Sequence, residues 1–279
     1  MKLGFHCSVR NGLTGALEEA RSLGCETFQI FSHNPRMWRD KTYNPDDIKQ
    51  FKELRKKYNI APLIVHTPYL PNLATTDKII HKRSMRALEY DYKTAGEIGA
   101  EFYVIHPGSY SEGSTKEKGI QNIINNIKEV LDKVKNDVIF LIENVAGGGR
   151  RIGDSLFDIN YILKKVGYPK RTGVCLDTCH LFGAGYDFTT KEGMALLEKD
   201  IKASFAFNNI YFIHYNDSKT EAGSHKDRHT HPGNGYIGKE GFIKFISTKG
   251  LTNVPGIIET ASIQAKKDMK FLKSLMIKK

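Results

Sequence analysis

Long apolar runs are missing from this sequence: the longest, such as Val138-Ile139-Phe140-Leu141-Ile142, fall far short of the roughly 20 residues that a helix needs to cross a bilayer. A membrane span is therefore excluded. The start, Met1-Lys2-Leu3-Gly4-Phe5-His6, lacks the charged opening and apolar stretch of a secretory signal, so a cytoplasmic location is expected. Cysteine is scarce: Cys7, Cys25, Cys175 and Cys179 are too few and too scattered for a disulfide framework. The Cys175-x3-Cys179 pair lacks the second pair that a cysteine zinc site requires. No linker rich in Pro, Gly or Ser divides the chain, and no low-complexity tract occurs. Neither G-x-G-x-x-G after the first strand-like run nor a P-loop lysine motif is found, which argues against a dinucleotide or nucleotide fold.

What is there is an ordinary globular composition: 279 residues, 40% hydrophobic and 26% charged. Lys plus Arg is 42 against 31 Asp plus Glu, a net charge of +11 that favours a polyanionic partner. Runs such as Lys52-Glu53-Leu54-Arg55-Lys56-Lys57 read as solvated helix faces, so charge alone does not name the partner.

Short β-branched and aromatic runs alternate with longer amphipathic stretches throughout. Eight strand-like runs fall near 2–7, 25–31, 62–66, 102–106, 138–143, 173–177, 210–215 and 256–260. Between them, Asn44-Pro45-Asp46-Asp47 supplies a cap, a first-turn proline and acids for a helix with Ile48, Phe51, Leu54 and Tyr58 on one face. Asp154 is expected to cap a second helix, with Leu156, Ile159, Leu163 and Val166 on one side and Gly167 ending it. Strands apolar at consecutive positions are expected of parallel strands covered on both faces. Eight such units fit a closed (β/α)8 TIM barrel, an α/β fold, formed by residues 1–279 as a single domain. The longest irregular segment, Ser218 to Lys239, follows the seventh strand and is rich in His, Asp and Gly, as functional loops often are.

In such a barrel, chemistry sits at the C-terminal ends of the strands. Six consecutive runs end in a metal-ligand type: His66, His106, Glu143, Asp177, His214 and Glu259, spaced by 40, 37, 34, 37 and 45 residues, one β/α unit each. A lone polar residue ending a strand is usually a satisfied turn residue. Six converging on one mouth would repel and lose solvation unless divalent cations neutralised them. His180, Asp227 and His229 form a further candidate set, the last two projecting to one side of an extended segment. Nine ligands exceed one zinc ion but suit three, and imidazoles favour zinc or another transition metal over magnesium. His33, His81 and His225 read as ordinary loop or helix residues, His231 continues the alternation from Asp227 and His229, and His6 reads as a floor residue of the first strand.

These residues resemble endonuclease IV, the zinc-dependent apurinic/apyrimidinic endonuclease family, over nearly the whole chain. The likeness is carried by His66-Thr67-Pro68-Tyr69-Leu70-Pro71-Asn72-Leu73, by Gly173-Val174-Cys175-Leu176-Asp177-Thr178-Cys179-His180, and by His214-Tyr215-Asn216-Asp217-Ser218-Lys219 followed by Asp227-Arg228-His229. His106-Pro107-Gly108-Ser109 and Ile142-Glu143-Asn144 add to it. The resemblance implies three zinc ions: one on His66, His106 and Glu143; a second on Glu143, Asp177, His214 and Glu259; a third on His180, Asp227 and His229. It also implies a duplex-DNA substrate, incised 5′ to an abasic site to leave a 3′-hydroxyl or cleared of 3′-blocking fragments, with Arg36 and Tyr69 inserting at the lesion. Glu143 and Glu259 would be catalytic, Glu143 bridging two ions and Glu259 orienting or deprotonating water. A monomer is expected. Three zinc ions would raise the formal charge from +11 to +17.

Pro71, Val145 and the turn Ala146-Gly147-Gly148-Gly149-Arg150 depart from the family pattern beside the ligands rather than on them. Two alternatives remain open at this point. Glu143, Asp177, His214 and Glu259 alone would resemble the single-metal site of sugar isomerases or epimerases, and an abasic-DNA-binding module with an inert metal site would use the same residues.

Overall fold

The computed structural model describes residues 1–38 and 42–276. Eight parallel strands close into a barrel: β1 (Leu3–His6), β2 (Thr27–Phe31), β3 (Leu63–His66), β4 (Phe102–Ile105), β5 (Ile139–Glu143), β6 (Thr172–Asp177), β7 (Ile210–His214) and β10 (Gly256–Ile258). Each run anticipated from the sequence supplies one of them. Two further short strands, β8 (Asp217–Ser218) and β9 (His229–Thr230), pair antiparallel. They give the Ser218–Lys239 segment a ribbon that periodicity did not signal, because two-residue strands are too short to show alternation.

Helices pack outside the strands through the faces that the sequence marks. In the helix Pro45–Tyr58, Asn44 accepts a hydrogen bond from the Asp46 amide, and Phe51 is fully buried with its ring edge-on to Phe28. The helix Leu156–Val166 differs from expectation at its start: Ser155, not Asp154, occupies the cap position, and Gly167 closes the helix in the left-handed conformation. The Asp154 side chain is taken up elsewhere, against Gly147. Ile162 is buried beside Leu156, Ile159 and Val166, while Leu163 is only partly covered. Among the described residues no helix is long and apolar enough to cross a membrane.

Two apolar regions result. The larger lies between barrel and helices; the smaller fills the barrel interior with Ile64, Val104, Leu141, Cys175, Phe212 and Ile257. Each of these six precedes one of the six strand-end ligand candidates by two positions. Side chains two apart on a strand share a face. The candidates therefore form the next layer above the apolar plug, at the C-terminal mouth.

Candidate metal centre

The six strand-end side chains meet as that layer implies. Glu143, fully buried, lies at the centre: one carboxylate oxygen is 3.0 Å from His66 Nε2 and 3.2 Å from His106 Nε2, and the other is 3.0 Å from His214 Nδ1 and 3.3 Å from His180 Nδ1. His214 Nδ1 is also 3.5 Å from Glu259 and 3.9 Å from Asp177. Among the described residues five sets of donor atoms lie close enough to share a cation; two include a buried thiol, Cys175 or Cys179, and the other three are His66, His106 and Glu143; Glu143, Asp177, His214 and Glu259; and His180, Asp227 and His229. These last three are the groupings that the resemblance implies.

The imidazoles are aimed by what holds their other nitrogen. His66 Nδ1 donates to the Thr67 carbonyl at 2.7 Å, His180 Nδ1 to the Asn144 carbonyl at 2.9 Å, and His214 Nε2 to the side-chain carbonyl of Gln29 at 2.8 Å. A carbonyl only accepts, so each contact protonates that nitrogen and leaves the other turned to the carboxylates. His180 Nε2 and His229 Nε2 are buried and make no aligned hydrogen bond, although Asp227 oxygens stand 3.2 and 3.1 Å away. Right distance with wrong direction is the arrangement of side chains facing a common point between them. Nitrogen and carboxylate donors in this mixture suit a transition cation, and the residues fit one.

Electrostatics bind the cluster together. Burial alone would raise the Glu143 carboxyl, but the imidazoles of His214, His106 and His180 outweigh it and hold the group well below the usual carboxylate range. Glu259 is depressed in the same way, chiefly by His214 and His6 against the effect of burial. Burial disfavours charge on His180, yet Asp177, Asp227 and Glu143 raise it well above its ordinary value. His214 is likewise raised against burial, with Cys175, Glu143 and Glu259 beside it. The Cys175 thiol beneath is pushed up to about 12 by burial and is a neutral packing group.

Several residues that carry the site are not in the candidate donor sets and were not singled out from sequence. Asn216 Nδ2 donates to Asp177 at 2.6 Å and to Glu259 at 3.0 Å, while its oxygen accepts from the Glu259 amide. Asn144 accepts from the Asp177 amide at 2.7 Å. Asp177 caps the helix Thr178–Ala184 by accepting from the His180 amide, which fixes His180 one turn above it. The segment bearing Asp227 and His229 hangs on Asp217, whose buried carboxylate accepts from the amides of Ser218, Gly233, Gly235, Ile237 and Gly238. Asn144, Asn216 and Asp217 each lie within three residues of a candidate ligand and inside the motifs that carry the resemblance, but nothing in the sequence marked what they do.

The other histidines have the duller settings expected of them. His33 sits with Ser32 and Asp91, His81 contacts Asn126, and His225 contacts the Ala146 carbonyl. His231 turns away to Asp268 at 2.6 Å. His6 lies beside Glu259 at 3.8 Å, as a floor residue should.

A cavity of about 330 Å³ opens above the cluster, lined by His66, His106, His180, Asp227, His229 and Glu259. Through His6 and Phe31 it continues into one of about 530 Å³ beside Arg10 and Asn34; through Tyr69 and His106 it continues into one of about 380 Å³ beside Ser109 and Arg151. The three form a trough across the barrel mouth. Tyr69 is 67% exposed at its rim, with its ring edge-on to Phe31 at 5.3 Å. Arg36 is exposed on the neighbouring loop, and the Tyr69 amide donates to the Pro35 carbonyl, tying the two loops together.

Known proteins resemble this chain in sequence and fold. A family profile described as xylose isomerase-like TIM barrel matches residues 17–275. "Probable endonuclease 4" of Halothermothrix orenii is 40% identical over 276 residues, covering 99% of each chain. A protein of the same name from Thermosipho melanesiensis is 37% identical, covering 93% of this chain and 92% of its own. The chain belongs to the endonuclease IV family. The crystal structure of endonuclease IV from Thermus thermophilus superposes with a TM-score of 0.86 at 28% identity, covering 99% of both chains. The barrel and its family are thereby those that the sequence motifs indicated.

Replacing Asp217 with Asn should loosen the loop of this endonuclease IV member without unfolding the barrel. Loss of charged acceptors costs about 1.5–3 kcal/mol locally, which corresponds to amide exchange faster by tenfold or more. Hydrogen exchange at Gly233, Gly235, Ile237 and Gly238 measures it; wild-type protection there would mean that the carboxylate does not hold the loop.

Proposed function

We propose that this chain is a zinc-dependent DNA-repair endonuclease that hydrolyses the phosphodiester 5′ to abasic sites in duplex DNA, leaving a 3′-hydroxyl, and that it also clears blocked 3′ ends. The observation that carries the reading is the meeting of nine ligand-type side chains, from the C-terminal ends of six barrel strands, one helix and the segment that carries the β8–β9 ribbon, around a single mouth. Three zinc ions would be held by the three groups given above, with Glu143 shared between two of them. Bound there, they would supply Lewis acidity toward the phosphate and lower the pKa of the attacking water.

The chain's own residues do the rest. Glu259 has one oxygen fixed by Gln29 at 2.6 Å and the other by Asn216 at 3.0 Å, so its carboxylate is ionised and oriented to hold a water and receive its proton. The trough offers a phosphate backbone two flanking cavities with Arg10 on one side and Arg151 on the other. A nucleotide without its base stacks and pairs poorly, so turning it into the central cavity costs less than turning an intact one. Tyr69 and Arg36, standing together at the rim, fill the gap it leaves. A sugar isomerase of the same barrel would use Glu143, Asp177, His214 and Glu259 alone, leaving His66, His106, His180, Asp227 and His229 without a task.

Metal analysis of the purified protein separates these readings: about three ions per chain is expected, and about one would favour the sugar enzyme. Because His180 and His214 are raised well above 6.5, a cation must displace protons from them at pH 7. Zinc uptake by chelator-stripped protein should release protons and weaken as pH falls, which calorimetry in buffers of different ionisation enthalpy reads directly. Glu259→Gln should lower single-turnover nicking of an abasic duplex by at least about 1,000-fold, the scale of losing a general base and an oriented ligand together, while DNA affinity stays within a few-fold. Nicking near the wild-type rate would take Glu259 out of the reaction. Tyr69→Ala should keep nicking but reduce the preference for abasic over intact duplex roughly tenfold or more, on the scale of about 1–3 kcal/mol for one stacking contact. An unchanged preference would make Tyr69 a rim-packing residue.

A further inference from the structure

Gln29 stands in the middle of β2, pointing into the barrel, and is fully buried. An uncharged amide there has no packing advantage over the apolar residues of the same layer and must satisfy its polar atoms. It does so entirely on the candidate centre. Its Nε2 donates to Glu259 Oε1 at 2.6 Å and to His6 Nδ1 at 2.9 Å, and its Oε1 accepts from His214 Nε2 at 2.8 Å. The carboxylate accepts only, so the nitrogen must face Glu259 and the oxygen must face His214; the reverse amide orientation would put two acceptors 2.6 Å apart.

The comparison with the other imidazoles gives this its meaning. His66 and His180 have their outward nitrogen tied to a main-chain carbonyl, of Thr67 and of Asn144. His214, at the end of β7, has no main-chain carbonyl in that role among the described residues; the Gln29 side chain supplies the acceptor. Such a partner fixes both the tautomer and the ring plane of a ligand histidine. The same amide fixes the carboxylate of Glu259, which faces the same donor set from β10.

We infer that Gln29 is a positioning residue of the metal centre: it locks His214 in the tautomer that presents Nδ1 to a cation and, through its amide nitrogen, clamps Glu259 beside it. The inference rests on the zinc reading above. Since an amide does not titrate, the lock holds across the working pH range. Because it spans β2, β7 and β10, it couples two ligands that are 45 residues apart in the chain to a strand that contributes no ligand itself.

The test uses the full chain stripped of metal and titrated with zinc against a chromophoric chelator. Wild type reports the parent reading: fewer than three zinc ions taken up would refute it, whatever Gln29 does. Given three, Gln29→Met, nearly the same in volume, should weaken uptake at one site by about 10–100-fold, the usual effect of removing such a partner, with the melting temperature of the stripped protein within a few degrees. Gln29→Glu keeps an acceptor for His214 but turns the donor toward Glu259 into a repelling oxygen. It should weaken zinc uptake less than Gln29→Met does, because the His214 partner is kept, while kcat for abasic nicking falls and KM does not. Nitrogen-15 spectra of histidine-labelled, zinc-loaded protein should show His214 protonated at Nε2 in wild type and in Gln29→Glu, with that signal lost or shifted in Gln29→Met. Unchanged zinc affinity together with an unchanged His214 signal in Gln29→Met would overturn the assignment and leave Gln29 a packing residue.

Discussion

The structure depends on one geometric constraint: side chains two positions apart on a barrel strand point the same way. Ile64, Val104, Leu141, Cys175, Phe212 and Ile257 close the interior, and the residue two steps later on each strand has nowhere to go but the space immediately above. That space is bounded below by hydrocarbon, so charges in it are poorly solvated from one side. Carboxylates alone would be forced to take up protons there. Alternating them with imidazoles keeps Glu143 and Glu259 ionised despite complete or near-complete burial. The apolar plug thus does more than stabilise the barrel; it makes the layer above it a place where only opposite charges can coexist.

Rigidity is then distributed unevenly, and in a way that matches the demands on each part. The strand-end groups inherit their positions from backbone pairing all round the barrel. His180 inherits its position from Asp177, which is both a member of the donor set and the cap of the helix that carries His180. Asp227 and His229 come from a loop with only a two-residue ribbon to stiffen it. Their order has to come from side-chain chemistry, and Asp217 provides it by gathering five amides onto one carboxylate. Burial works against that carboxylate's charge and the amides work for it. A buried anion of this kind is stable only while the loop stays wrapped around it, so the fold of the segment and the ionisation of Asp217 are one condition.

The eight strands and the positions of the candidate ligands were legible because both are written in periodic, local signals: an apolar run, then a polar residue at its end, then a helix with a capped start. What was not legible follows from the same logic. Gln29 lies two residues before the end of its strand and carries no charge, so neither position nor chemistry marked it. Its role exists only through residues 185 and 230 positions away. Asn216 is similar, its partners being brought to it by barrel closure. The expected cap at Asp154 failed for a tertiary reason as well. Its carboxylate lies against the glycine turn on the next layer of loops, and Ser155 takes the cap position without a side-chain hydrogen bond.

That glycine turn, one of the departures from the family pattern, has its explanation in packing. Gly147, Gly148 and Gly149 adopt φ of 81°, 85° and 61°, a left-handed run that side chains resist. A Cβ on Gly147 would come within 2.8–2.9 Å of Asp154 and of the His225 ring, and one on Gly148 within 3.0 Å of the His225 carbonyl. His225 is held in place on its other sides: its amide donates to the Gly183 carbonyl and its ring reaches the Ala146 carbonyl. His225 stands two residues before Asp227. The turn is therefore thinned to glycine so that the loop presenting Asp227 can press down onto the barrel rim, and a bulkier residue at Gly147 would lift that loop away from His180. The turn and His225 are packed as one unit, and both bear on how firmly the outermost donor set is held.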